Sequence, residues 1–241
     1  VLADRSLLHR QAAPGGETRW RLLVSAQQFA AERLDEAGEA RATRARHAQA
    51  TLALLEAADE AAADTPVLPW VDALLPELDN LRAALAWAMG ADGDPALAVA
   101  LAGAAGSFWH AAGLDDDAGR TLRRLQPWVD GAAADALPPR RRALFWWALA
   151  LRAADARFSW QETFDAADRA LAIARDLGDA RLLHRVMAMW LPLAQRLHRP
   201  IDHDAVLAEL RGGEGADWSS GQRRSRRLVE GRLAPLRGDL A

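Results

Sequence analysis

The chain has 241 residues, a formal net charge of −3 and no cysteine. It is long enough to bury a core, carries no global field that would draw nucleic acid or an anionic membrane, and cannot hold a disulfide framework or cysteine-ligated zinc. Hydrophobic residues make up 51% of it, but these are mostly alanine and leucine. Isoleucine occurs only at Ile173 and Ile201, tyrosine is absent and every basic side chain is arginine. That bias favours helices over strands. No apolar run reaches transmembrane length, and the opening VLADRSLLHR lacks the order of a signal peptide. A cytoplasmic location is the expectation, as is a piece of a longer protein, since the chain opens on Val1.

Residues 3–23 hold two short apolar segments around Pro14-Gly15-Gly16, which predicts a β-hairpin. Ala26, Phe29, Ala30 and Leu34 recur at helical spacing up to Gly38, predicting an amphipathic helix over 24–37. A second helix over 39–62 places Ala45, Ala48, Leu52 and Leu55 inward. Pro76 can open a helix with the stripe Leu78, Leu81, Leu85 and Met89, and Asp94-Pro95 supplies a cap and first turn for the next. That next helix carries Ala98, Ala102, Ala105 and Ala112 on one face, small enough for a neighbour to approach closely.

Gly113 ends it, and residues 115–128 supply a partner with Leu122 and Leu125 inward. After a loop over 131–139, residues 141–154 are apolar nearly all round, which predicts burial between neighbours on two sides. Trp160, Phe164, Ala167, Leu171 and Ala174 mark the second helix of that hairpin, closed by Leu177-Gly178-Asp179. Further helices are expected over 180–198 with a kink at Pro192, over 202–211, and over 219–237. Helical pairs recurring at about forty residues predict an α-solenoid.

Three stretches resemble a known family, the region after the nucleotide-binding module in bacterial STAND-type (NB-ARC-type) ATP-binding transcriptional regulators, including winged-helix and large LuxR-type members. ADRSLL at 3–8 with RWRLL at 19–23 and FAAERLDEAGE at 29–39 looks like the end of the winged-helix subdomain and its exit helix. WVDALLPELDNLRAALAWAM at 70–89 resembles the linker helices, and ALAIARDLGD at 170–179 the tetratricopeptide-like repeats. The resemblance implies three parts: a winged-helix remnant over 1–38, linker helices over 39–92 and helical repeats over 93–241. The fold class is then all-α, a tetratricopeptide-like α-α superhelix with degenerate repeats, preceded by a short β-hairpin. Ser25-Ala26-Gln27-Gln28 departs from the charged residues common in that family, and the repeat exceeds the strict period of about 34 residues.

The resemblance implies a non-catalytic sensor or protein-interaction module. It would bind a partner protein, peptide or small effector in the solenoid groove, with upstream ATPase and DNA-binding domains in the full-length chain. Direct nucleic-acid and membrane contacts are not expected, and a chain without lysine cannot contain a phosphate-loop motif. The alternative is an oligomerisation scaffold, a homo-oligomer with no small ligand.

Indoles offer large rigid contact area with one donor, and guanidinium groups bind carboxylate or phosphate in two-pronged fashion. The candidate binding residues are therefore Trp109, Trp146, Trp147, Arg152, Trp160, Trp190 and Arg196, with Arg141 and Arg185 also near indoles. Each indole has core packing as its competing role, and neighbouring Trp146 and Trp147 cannot point the same way on a helix. Arg223, Arg224, Arg226 and Arg227 read as a solvated face offset by Glu230. His198, Asp202, His203 and Asp204 lack metal-site spacing, so no metal, cofactor or catalytic constellation is expected. Asn80, the sole asparagine, is expected to make a structural hydrogen bond.

Overall fold

The computed structural model describes residues 8–12, 18–131, 137–154, 158–212, 215 and 218–233. Strands β1 (Leu8–Ala12) and β2 (Thr18–Leu22) pair antiparallel, with Leu8 opposite Leu22. The expected hairpin is present, and its Pro14-Gly15-Gly16 turn lies outside the described residues. Helix α1 (Val24–Glu36) follows but buries none of its residues. The amphipathic face expected there is left uncovered: Phe29 is 61% exposed and carries only the Arg33 guanidinium over its ring.

The core begins with α2 (Ala40–Ala61), which buries Ala48, Leu52 and Leu55. The segment around Pro76 forms α3 (Val67–Leu74), a 3-10 turn over Leu75–Glu77, and α4 (Leu78–Ala88). Pro76 thus sits in the turn between two helices, where its missing N–H breaks no helical bond. Leu81 and Leu85 are buried as their spacing predicts. Asn80 donates to Glu77 at 2.6 Å, a local structural bond.

Helix α5 (Pro95–Ala104) is capped by Asp94, whose carboxylate accepts from the Ala96 and Leu97 amides. The helix expected to continue to Ala112 is interrupted at Ala105 and resumes as α6 (Gly106–Ala111). Its small face does receive a neighbour. A Cβ on Gly103 would lie 2.9 Å from the Phe145 backbone nitrogen, and one on Gly106 would lie 2.6 Å from the Ala148 side chain. That neighbour is α8 (Pro139–Ala150), buried continuously from Ala143 to Ala150 between α5 and α9 (Trp160–Leu177). The last residues expected in α8 form a 3-10 turn, Leu151–Ala154. Between α6 and α8 runs α7 (Asp115–Asp130), with Leu122 and Leu125 inward.

Helix α9 starts at a capping box in which Ser159 and Glu162 satisfy each other's backbone amides. It ends at Gly178 in the left-handed conformation, and Asp179 caps α10 (Ala180–Arg196). Asp202 accepts from the Ala205 amide at the start of α11 (His203–Gly212). Helix α12 (Ser220–Leu233) then packs on α10, while the residues expected to extend it to 237 lie outside the described set. The first helices of successive pairs start at Pro95, Pro139, Ala180 and Ser220, an interval of about forty residues.

Pro192 lies inside α10, which continues as one helix. A proline here leaves the Ala188 carbonyl without its i+4 donor, and Arg232 of α12 donates to that oxygen at 3.0 Å. The Arg232→Ala change should therefore cost about 1 kcal/mol, towards the low end for a charged donor because the side chain is exposed. In a Pro192→Ala background, where the carbonyl regains its helical donor, urea unfolding should show that cost shrinking. An unchanged cost would break the proposed link.

Candidate binding groove

Residues of α2, α3, α6, α8, α10 and α12 line a groove of about 450 Å3. Its floor joins residues far apart in sequence. Asp59, near the end of α2, is 7% exposed and accepts two hydrogen bonds from Arg185 of α10, at 2.5 and 2.6 Å. The Ser107 hydroxyl of α6 donates to Asp59 at 2.5 Å and accepts from Arg185 at 2.5 Å. The three groups close a triangle in which a two-pronged guanidinium satisfies a desolvated carboxylate. Arg185 also lies over the Trp147 ring, 3.7 Å from its centre.

Trp147 and Trp70 form the apolar wall. Trp70 is fixed by its indole N–H donating to the Ala58 carbonyl at 2.8 Å and by edge contact with Phe108 at 6.3 Å. Trp218 packs edge-on to His184, whose ring nitrogens lie 2.6 and 2.9 Å from the Ala180 and Leu210 carbonyl oxygens. Helix α12 closes this side of the groove through Gly221, whose amide donates to Asp64 at 3.1 Å. A Cβ on Gly221 would fall 1.8 Å from the Ala63 carbonyl oxygen, so only glycine permits the approach.

At the mouth, Arg140 reaches Asp179 at 3.3 Å and Glu60 at 3.8 Å. His110 lines the groove one turn beyond Ser107. Burial first, then the Arg152 guanidinium, hold its pKa below the ordinary 6.5, with Asp115 opposing. A second hollow, of about 340 Å3 beside α2 and α5, is crossed by Arg141 pairing with Glu56 at 3.0 Å.

Of the sequence-predicted site residues, the structure brings Trp147 and Arg185 together in the groove and disperses the others. Trp109 is 1% exposed and fills the core. Trp146 turns the opposite way from Trp147, against Phe145 and under Arg169. Arg152 is buried and binds Asp115, with His110 at 3.4 Å. Trp160 is stacked by Arg196 at 4.1 Å, and Trp190 packs on Phe164 while donating to Asp168 at 3.1 Å. None of these residues, which lie on α9 and α10, lines the groove. Arg224 is exposed, as expected of a solvated face, and also lines the groove, while Arg226 pairs with Glu230 at 3.7 Å.

Of the groove residues that sequence reasoning missed, Ser107, Trp70 and Trp218 had no local signature. The one available signal was Asp59, an acid on the inward stripe of α2, four residues beyond Leu55.

Among the described residues no group of three or more histidine and acidic side chains could hold a metal, and no helix is long and apolar enough to cross a membrane. No protein family matches the chain, and neither any curated protein nor any solved structure does.

Removing Asp59 leaves a partly buried guanidinium without its counter-charge. Asp59→Ala should lose about 3 kcal/mol in urea unfolding, and the Asp59→Leu/Arg185→Met double variant should recover much of it, since it removes both charges together. Equal losses in both would show the triangle to be incidental.

His110 gives a separate pH signature. Its lowered pKa means that the unfolded chain binds the proton first, so its contribution is complete above pH 6.5 and is lost as pH falls through the folded value. Thermal melts between pH 8 and 5 should therefore show a smaller acid-side loss for His110→Gln than for the unaltered chain.

Proposed function

We propose that this chain is a non-catalytic sensor and protein-interaction module of a bacterial signal-transducing transcriptional regulator of the STAND type. In this reading the recurring helical pairs form an irregular tetratricopeptide-like α-solenoid. Its groove receives a small effector, peptide or partner protein and relays occupancy to an upstream ATPase with its DNA-binding domain. The observation that carries the reading is the Asp59–Ser107–Arg185 triangle. It ties α2, α6 and α10 together across the groove floor, so an occupant favouring a different spacing of those helices would shift the whole array. The chemistry of the triangle also supports binding over reaction. The Ser107 hydroxyl gives its proton to a carboxylate already neutralised by arginine, the opposite of an activated nucleophile.

Two experiments test this. In the full-length reading frame an adjoining phosphate-loop module is expected, and its absence would sink the regulator assignment. Ala111 is exposed in the groove, so Ala111→Trp should fill it while shifting Tm by only about 2 °C, and effector-dependent ATP turnover should disappear with basal turnover retained.

A second reading, an oligomerisation scaffold, is favoured by the uncovered apolar side chains Trp20, Val24 and Phe29 on the hairpin and α1. Light scattering decides it: a multimer that Phe29→Glu converts to monomer, with no groove occupant found, would support the scaffold.

A further inference from the structure

We infer that the groove takes a small amphipathic organic acid, with a ring-bearing apolar body set against the lining of Val67, Leu228 and the margins of Trp70 and Trp147, and a single carboxylate at Arg224. The inference rests on the groove being a binding site and deepens that reading by naming the ligand class. Four observations carry it.

The volume of about 450 Å3 falls within the range of roughly 300–1,000 Å3 typical of small-molecule sites. Gly221 sits against the Ala63 carbonyl, both lining the groove, so the start of α12 and the end of α2 meet there with no room for a side chain between them. The lining also includes accessible apolar side chains, Val67 of α3 and Leu228 of α12, both more than half exposed.

The charge distribution supplies the fourth. Four arginines line the groove against two acids, in a chain whose net charge is −3. Arg185 is consumed by Asp59, and Arg140 by Glu60 and Asp179. Arg224 is exposed and makes no hydrogen bond or ion pair among the described residues. The floor acid is saturated, so a cationic or donor-rich ligand has nothing to pair with there. A planar carboxylate laid against a guanidinium fork gains two parallel hydrogen bonds, while its body displaces water from indole surface.

The test uses two fluorescent probes with the same ring system, 8-anilinonaphthalene-1-sulfonate and its neutral analogue N-phenyl-1-naphthylamine. The sulfonate should bind saturably at one site about tenfold tighter than the neutral dye. It should be displaced by 2-naphthoate but not by 2-naphthamide. Arg224→Glu should weaken the sulfonate about tenfold and leave the neutral dye within about twofold, and Ala111→Trp should abolish binding of both. Equal affinities for the two dyes, or indifference of the sulfonate to Arg224→Glu, would overturn the acid class while leaving the groove reading intact. Failure of both dyes to bind, or binding untouched by Ala111→Trp, would overturn the groove reading and the acid class together. A chain that binds neither dye and doubles in mass until Leu228→Glu is introduced would show a second copy covering the groove, and the proposal would fall.

Discussion

The helical core depends on how closely α8 lies against α5 and α6. Gly103 and Gly106 bring the two backbones into contact where any side chain would collide with Phe145 or Ala148. Alanines on both sides keep the interface thin, and the dispersion gained over such tightly packed surfaces is large although each contact is small. Because α8 is held from one side by α5 and from the other by α9, its rotation about its own axis is fixed. That fixed rotation sends Trp146 towards Arg169 and Trp147 towards Arg185.

The orientation of Trp147 then propagates to the groove. Arg185 lies on its ring and reaches Asp59, a residue 126 positions earlier in the chain. Such a contact closes a very long loop, whose entropy must be offset by the contacts made along it. The offset comes from the continuous core running from α2 through α10, with the triangle acting as a latch between bodies already brought together. Helix α12 joins that core through the buried Val229 and Leu233 and is held further by an arginine on the carbonyl that Pro192 exposes and by a glycine set against α2.

The hairpin and α1 stand apart from this scheme. Arg21 reaches Asp79 at 3.2 Å and Arg44 reaches Asp35 at 3.5 Å, both between exposed side chains that contribute little. Their apolar residues Trp20, Val24 and Phe29 are exposed.

Helix existence was legible in the sequence because periodicity, caps and breakers are local: Asp94-Pro95 and Leu177-Gly178-Asp179 each specify a helix end without help from elsewhere. The burial of α8 was legible too, since a helix apolar on every side has only one stable environment. The burial of α1 was not, because periodicity records that a face could be covered and says nothing of whether a neighbour arrives. Nor was the groove. An indole looks the same in sequence whether it fills a core, as Trp109 does, or walls a groove, as Trp147 does. Which role it takes is set by helix rotation and by the distant partners that packing delivers. The sequence by itself determined the helices and the small-residue face on which α8 settles. Only the tertiary structure decided that Asp59, Ser107 and Arg185 would meet, because that depends on the summed turns of every helical pair between them.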